Sequence, residues 1–72
     1  MKYLVIVEKG AENYSAYLPD LLGCTSAGRT YEETMANIRE AIEGHLALMR
    51  EYGEPIPEPV SQAADVEVET TV

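Results

Sequence analysis

An amphipathic segment over residues 30–53 constrains the fold of this 72-residue chain more than any other feature. Thr30 and Glu33 have the spacing of a capping box, in which the threonine hydroxyl accepts a hydrogen bond from the Glu33 amide and the glutamate side chain reaches back. Gly53 suits the left-handed position that follows a helix. Between these ends, a stripe of residues recurs at alternating steps of four and three, as on one side of a helix. Its members are Tyr31, Met35, Ile38, Ile42, His45, Met49 and Tyr52.

Three short strands are predicted before this helix, over residues 3–7, 14–18 and 24–27, where β-branched, aromatic and small residues lie between turn signals. Their short connections favour antiparallel pairing of neighbours. After a proline-rich extended stretch, residues 65–72 alternate strictly between acidic or polar and apolar side chains, which is typical of a strand or of a tail ordered by a partner. The predicted fold class is therefore α+β, with the order β-β-β-α-β in two layers.

The chain is short enough to form a single domain, with a core over residues 1–60 and a C-terminal strand or tail over residues 61–72. A domain of this size buries little surface and is marginally stable. Its only cysteine, Cys24, and its only histidine, His45, provide neither an internal disulfide nor a structural zinc site. We therefore expect a partner subunit, and a homo-oligomer, to supply the additional stability.

One helix covers only one face of a sheet, whereas the first predicted strand offers apolar side chains on both faces. The uncovered face would leave an apolar patch in water, and such patches usually mark contact surfaces. The C-terminal strand would add an acidic edge. The candidate protein-interaction residues are Leu4, Ile6, Tyr17, Glu67 and Glu69.

Thirteen acidic residues against five basic ones give a formal net charge of −8. This balance argues against direct binding to nucleic acid, which is held by cations that neutralise phosphates. It favours a basic protein partner, although acidity also simply promotes solubility. No apolar run approaches the ~20 residues of a membrane span, and no signal peptide is recognisable, so we expect a cytoplasmic protein without membrane contact. Part of the charge lies on the polar side of the predicted helix, at Glu32, Glu33, Glu40, Glu43 and Glu51.

The chain offers little for catalysis. His45 lies within the apolar stripe and is interpreted as a half-buried histidine that a neighbour satisfies, and Cys24 as a small strand residue. A metal-dependent nuclease built on Asp20, Glu67 or Glu69 is the weakest hypothesis, because two carboxylates without fixed neighbours hold a cation poorly. We therefore predict a non-enzymatic protein with no cofactor and no metal.

The run over residues 14–33 carries a more specific signal. An aromatic strand leads into Pro-Asp-Leu-Leu-Gly-Cys at residues 19–24, and Gly-Arg-Thr-Tyr-Glu-Glu at residues 28–33 opens the helix. Together with the exit over residues 52–59, this order resembles the HicB family of antitoxin domains over roughly residues 1–60. The resemblance implies three strands, a helix and a final strand. It also implies a HicA-like toxin partner, a basic mRNA-cleaving ribonuclease whose active site the domain binds and covers.

The sequence departs from that family at its C-terminal end. Many HicB proteins carry a DNA-binding module there, and the residues up to Val72 leave no room for one. Binding to operator DNA is therefore not expected. No short motif identifies the toxin-contacting residues. The alternative hypothesis is a stand-alone homo-oligomeric scaffold or regulator without a toxin partner.

Overall fold

The computed structural model describes residues 1–71. It contains β1 (Ile6–Lys9), β2 (Tyr14–Tyr17), β3 (Thr25–Gly28) and a helix of 21 residues, α1 (Tyr31–Glu51). The strands form one antiparallel sheet in the order β1-β2-β3. The predicted α+β class, with three antiparallel strands followed by one helix, is confirmed.

The pairing of β1 with β2 begins later than the sequence pattern indicates. The last pair at this end sets Ile6 opposite Tyr17. Continuing the same register would set Leu4 opposite Pro19, which has no backbone N–H to donate and ends a central strand. Residues 3–5 therefore precede the paired strand, although the sequence pattern assigns them to it.

The loop between β2 and β3 belongs to the core. Leu21 is 1% exposed, and its backbone N–H donates to the carbonyl of Leu18 at 3.4 Å. The N–H of Cys24 in turn donates to the carbonyl of Leu21 at 3.3 Å. Gly23 has a φ of 82°, a conformation that glycine adopts without strain. These two turns carry Leu21 inward and leave its neighbour Leu22 at the surface.

Both ends of α1 follow the predicted caps. The hydroxyl of Thr30 accepts from the N–H of Glu33 at 3.0 Å, but the glutamate side chain reaches past Thr30 to accept from the N–H of Arg29 at 3.1 Å. At the other end, Gly53 has a φ of 69°. Its N–H bonds to the carbonyl of Arg50, and the next N–H bonds to Met49, as in a Schellman motif. The helix length is therefore determined locally at both ends.

The helix packs against β3 and β2. Its N-terminal turn approaches β3 so closely that a Cβ added at Gly28 would lie 2.7 Å from the Oγ1 of Thr34. One turn later, the amide of Asn37 donates to the carbonyl of Ala27 at 2.9 Å. This contact places the apolar stripe over the inner face of the sheet. The residues buried there are Ala16, Leu18, Leu21, Cys24, Thr34 and Ile38.

Residues 54–71 form neither helix nor strand. The strand predicted over residues 65–72 is therefore absent from residues 65–71, and Val72 lies outside the described part of the chain. A strand needs a neighbour for its backbone hydrogen bonds, and the tail from Ser61 to Thr71 is exposed throughout. The preceding residues are anchored, since the hydroxyl of Tyr3 donates to the carbonyl of Pro57.

Candidate protein interface

The outer face of the sheet carries a small apolar patch. Residues directly opposite each other on antiparallel strands share a face, so Ile6 and Tyr17 lie side by side. The next pair, Val7 and Ala16, faces the core. Tyr17 is 42% exposed and Ile6 is half-buried. Leu4, two residues before Ile6, is also half-buried. Three of the predicted interaction residues therefore lie near one another at one end of the sheet.

Apart from Ala27, which lies opposite Ser15, the remainder of the paired outer face is polar. Glu8 lies opposite Ser15, and Thr25 lies opposite Tyr17 on its other side. All three of these side chains are exposed. The apolar surface is therefore narrower than the sequence pattern indicates, and it has an acidic neighbour on the same strand.

The other two predicted interaction residues lie elsewhere. Glu67 and Glu69 belong to the exposed tail. Within residues 1–71, neither side chain takes part in a hydrogen bond, and the tail contributes nothing to the core. The structure does not bring these two carboxylates together with Leu4, Ile6 and Tyr17.

A second surface feature is a groove of about 580 Å³ between residues 1–5 and α1. It arises because the helix packs mainly on β3 and β2, so the β1 side of the helix stays open. The sequence pattern did not reveal this groove because it does not say where on the sheet the helix lies. The sequence did hold one signal. Leu46 lies beside the stripe and makes the apolar surface of the helix wider than the sheet alone covers. The lining includes Tyr3, Val5, Met35, Ile42 and Leu46, with Arg39, Glu43 and Arg50.

Asp20 forms a clamp that the sequence pattern did not reveal. Its carboxylate accepts hydrogen bonds from the N–H of Val60 at 3.1 Å and from both the N–H and the hydroxyl of Ser61. The bonds from Ser61, that from its backbone N–H first, hold the pKa of Asp20 below its usual value. The carboxylate thus fixes where the chain goes after α1.

The two residues considered for nucleophilic or base chemistry occupy structural positions. Cys24 is buried in the core, and burial raises the pKa of its thiol. His45 is half-buried on α1, and within residues 1–71 no hydrogen bond to its ring supplies the predicted neighbour. Across the same residues, no three His, Cys, Asp or Glu side chains group closely enough to hold a metal ion. The described chain also lacks a helix both long and apolar enough to cross a membrane.

Comparison with known proteins identifies the family. A family model described as a HicB-like antitoxin of bacterial toxin-antitoxin systems matches residues 3–70. This chain belongs to the HicB-like antitoxin family. The match extends across the anchored segment and the tail, beyond the residues that carry the resemblance in sequence.

Individual relatives of this HicB-like chain come from a phage, a bacterium and an archaeon. A 14.9 kDa protein from the rep-hol intergenic region of Haemophilus phage HP1 is 41% identical over 64 residues, which cover 86% of this chain and 48% of that protein. A UPF0150 protein of Helicobacter pylori is 49% identical over 41 residues, 57% of each chain. A UPF0150 protein of Thermoplasma acidophilum is 38% identical over 58 residues, 79% of this chain and 84% of that one. The HicB-like chain thus spans about half the length of the first two relatives.

A solved structure has the same fold. One chain of the HicA3 and HicB3 toxin-antitoxin complex superposes with a TM-score of 0.71 and 32% identity. The superposition covers 83% of this HicB-like chain and 70% of the other chain. The likeness therefore extends over most of this HicB-like chain.

Proposed function

We propose that this HicB-like chain is a non-enzymatic antitoxin that binds a HicA-like ribonuclease toxin and neutralises it by covering its active site. The observation that carries the proposal is the fold shared with a chain of the HicA3 and HicB3 complex, at 32% identity over 83% of this protein. The family match over residues 3–70 supports the same role.

The charge of the chain fits a basic partner. The formal net charge is −8, and the polar side of α1 is lined by exposed glutamates. A ribonuclease must attract phosphates, so the entrance to its active site is positively charged. Opposite potentials accelerate encounter and disfavour wrong partners. An acidic domain can therefore occupy a groove that is built for RNA.

The apolar patch at Leu4, Ile6 and Tyr17 is the proposed centre of the toxin contact. Exposed tyrosines are frequent anchors in interfaces because they bury a large area at a small entropic cost. Glu8, on the same face, adds a carboxylate toward a basic partner. Glu67 and Glu69 lie in the tail and are proposed to contribute long-range attraction and not a packed contact.

In this role the chain itself performs no catalytic step. Inhibition follows from steric exclusion, because a toxin whose active site is covered cannot admit RNA. Electrostatic attraction acts mainly on the association rate, so binding should weaken as salt is added.

Co-expression tests the proposal. The full chain is expressed together with a toxin-like reading frame taken from its own genomic neighbourhood, and growth and complex formation are measured. We expect growth to recover and the two proteins to co-elute on a sizing column. Continued growth arrest with no complex would contradict the proposal.

A matched pair of variants tests the position of the interface. Tyr17→Arg places a cation at the centre of the patch and should abolish the complex. Leu22→Arg, at a side chain that is 86% exposed on the β2–β3 loop, should leave it intact. Equal loss of binding in both variants would show that the patch is not the contact.

A further inference from the structure

The two outer strands of the sheet differ in how their edges are occupied. Alternate residues of an edge strand point backbone N–H and C=O groups away from the sheet, where another strand can pair with them. On β3, the side chain of Asn37 already donates to the carbonyl of Ala27. β1 is the other end strand of the sheet, and within residues 1–71 no hydrogen bond joins any group to its edge opposite β2. The β1 edge is therefore the one that is open to a further strand.

The groove lies beside this edge. Its apolar wall is formed by Tyr3 and Val5 on the sheet side and by Ile42 and Leu46 on the helix side. A strand added to β1 would turn every second side chain toward α1 and into the groove. Two apolar residues at that spacing would occupy part of the groove of about 580 Å³, which is otherwise open to water.

The tail of the chain has this pattern. From Asp65 to Thr71, Val66 and Val68 alternate with acidic residues, as in a strand with one apolar face. The two valines are 82% and 69% exposed, so they contribute nothing to the core of their own chain. A segment of this kind gains hydrogen bonds and apolar contacts at the same time when it joins an edge.

The anchors at Pro57 and Ser61 direct the tail away from its own β1 edge. Pro57 is bound to Tyr3, and Ser61 is bound to Asp20 in the loop between β2 and β3. The chain therefore runs from β1 toward the β2 side, away from the open edge of β1. The largest dimension of the Cα trace is 54 Å, against ~31 Å for a helix of this length, so the tail extends the molecule. The tail of another copy can reach the edge with both anchors intact.

The charge of the groove favours such a tail over a basic toxin. Two of the five basic residues in the chain, Arg39 and Arg50, line the groove, together with a single carboxylate, Glu43. The tail is acidic, with carboxylates at residues 65, 67 and 69. Opposite charges across an interface select the partner.

We propose that residues 65–71 of one copy add as a strand to β1 of a second copy, with Val66 and Val68 in the groove. We propose that the exchange is mutual between two copies, so that each tail and each β1 edge is used and the product is a two-fold dimer. The dimer forms without the toxin, so this inference stands independently of the proposed antitoxin function.

The test uses the full chain without any partner, with its mass measured by light scattering across a dilution series. We expect the unmodified protein to be a dimer. Replacing both valines, Val66→Glu with Val68→Glu, should raise the dissociation constant roughly a hundredfold or more, since two apolar side chains are lost from the groove. The matched control, Ala63→Glu with Ala64→Glu, adds the same charge at exposed positions outside residues 65–71 and should remain dimeric.

Circular dichroism shows whether the variants fold, and neither pair touches the core. A chain that is monomeric at the highest concentration reached would overturn the proposal. So would a dimer that the valine substitutions leave unchanged. A third contrary result is a monomeric protein in which the valine substitutions speed amide hydrogen exchange along β1. That result would mean that the tail pairs with β1 of its own chain.

Discussion

Asp20 and Ser61 are joined by two hydrogen bonds across 41 residues of sequence. The carboxylate accepts from the backbone N–H of Ser61 at 2.8 Å and from its hydroxyl at 2.7 Å. A charged acceptor makes such bonds stronger than neutral ones. The loop after β2 thereby holds the segment that follows α1 and sets the direction in which the tail leaves the domain.

Removing this clamp should free the segment and leave the domain folded. We expect Asp20→Ala to speed amide hydrogen exchange at Val60 and Ser61, because both N–H groups lose their acceptor. The change in global stability should be small, since the carboxylate lies at the surface. Exchange measured by mass spectrometry or NMR checks this. Asp65→Ala, in the exposed tail, is the control, and equal exchange at Ser61 in the two variants would contradict the role of Asp20.

The clamp should also respond to pH. The bonds from Ser61 hold the pKa of Asp20 below its usual value. A carboxyl whose pKa is lower when folded stabilises the fold fully above its usual pKa, and that stabilisation is lost as the pH falls through the lowered value. We expect NMR titration of the Asp20 carboxyl carbon to show a midpoint that rises in Ser61→Ala. An unchanged midpoint would mean that the hydroxyl does not support the carboxylate.

Gly28→Ala should destabilise the domain by about 1–3 kcal/mol, as overpacking does at other sites. The new Cβ would lie 2.7 Å from the Oγ1 and 2.8 Å from the backbone nitrogen of Thr34, so α1 must move from β3. Urea denaturation measures the change. Gly44→Ala, in α1 with no atom near its added Cβ, should instead stabilise by roughly 0.5–1 kcal/mol. The same sign for both variants would contradict the close approach at Gly28.

Thr30→Ala should lower the free energy of unfolding by about 0.5–2 kcal/mol, the usual cost of losing a helix N-cap. The N–H of Glu33 loses the hydroxyl that accepts its hydrogen bond at 3.0 Å. Thr30→Ser keeps that acceptor and should retain most of the stability in the same denaturation experiment. If serine is as harmful as alanine, the methyl group and not the cap is responsible.

Cys24 should react slowly with thiol reagents while the protein is folded. Burial excludes the reagent and raises the pKa of the thiol, which reduces the reactive thiolate. The reaction of this thiol with a chromogenic aromatic disulfide, followed by absorbance at neutral pH, should therefore be slow in buffer and fast in urea. Rapid reaction in buffer would show that the β2–β3 loop opens readily.

The helix was the most predictable part of the fold because its signals are local. Thr30 and Gly53 occupy the cap positions that their residue types favour, and Ile38, in the middle of the stripe, is buried. The glutamate of the capping box was placed less accurately, since it bonds to Arg29 and not to Thr30. Local chemistry therefore predicts the helix, whereas the exact hydrogen-bond partner of the Glu33 side chain depends on the position of the neighbouring backbone.

The strand limits and the tail were less predictable, because they depend on contacts between distant residues. Pairing at Ile6 depends on where β2 ends, and the alternating pattern of residues 65–71 indicates a strand only where an edge is available. On the candidate interface, the pairing of Ile6 with Tyr17 follows from alternation, whereas the groove follows from how far α1 lies from β1. No sequence pattern states the lateral position of a helix on a sheet.

The bond from Asn37 to Ala27 has a consequence for how large an assembly of this protein can become. A sheet that can be extended at both sides can recruit molecules without limit and grow into fibrils. Here the amide of one helical residue already occupies a carbonyl at one side, so growth there is opposed. Addition of a further strand at the β3 side of the sheet is thus discouraged by a single side chain.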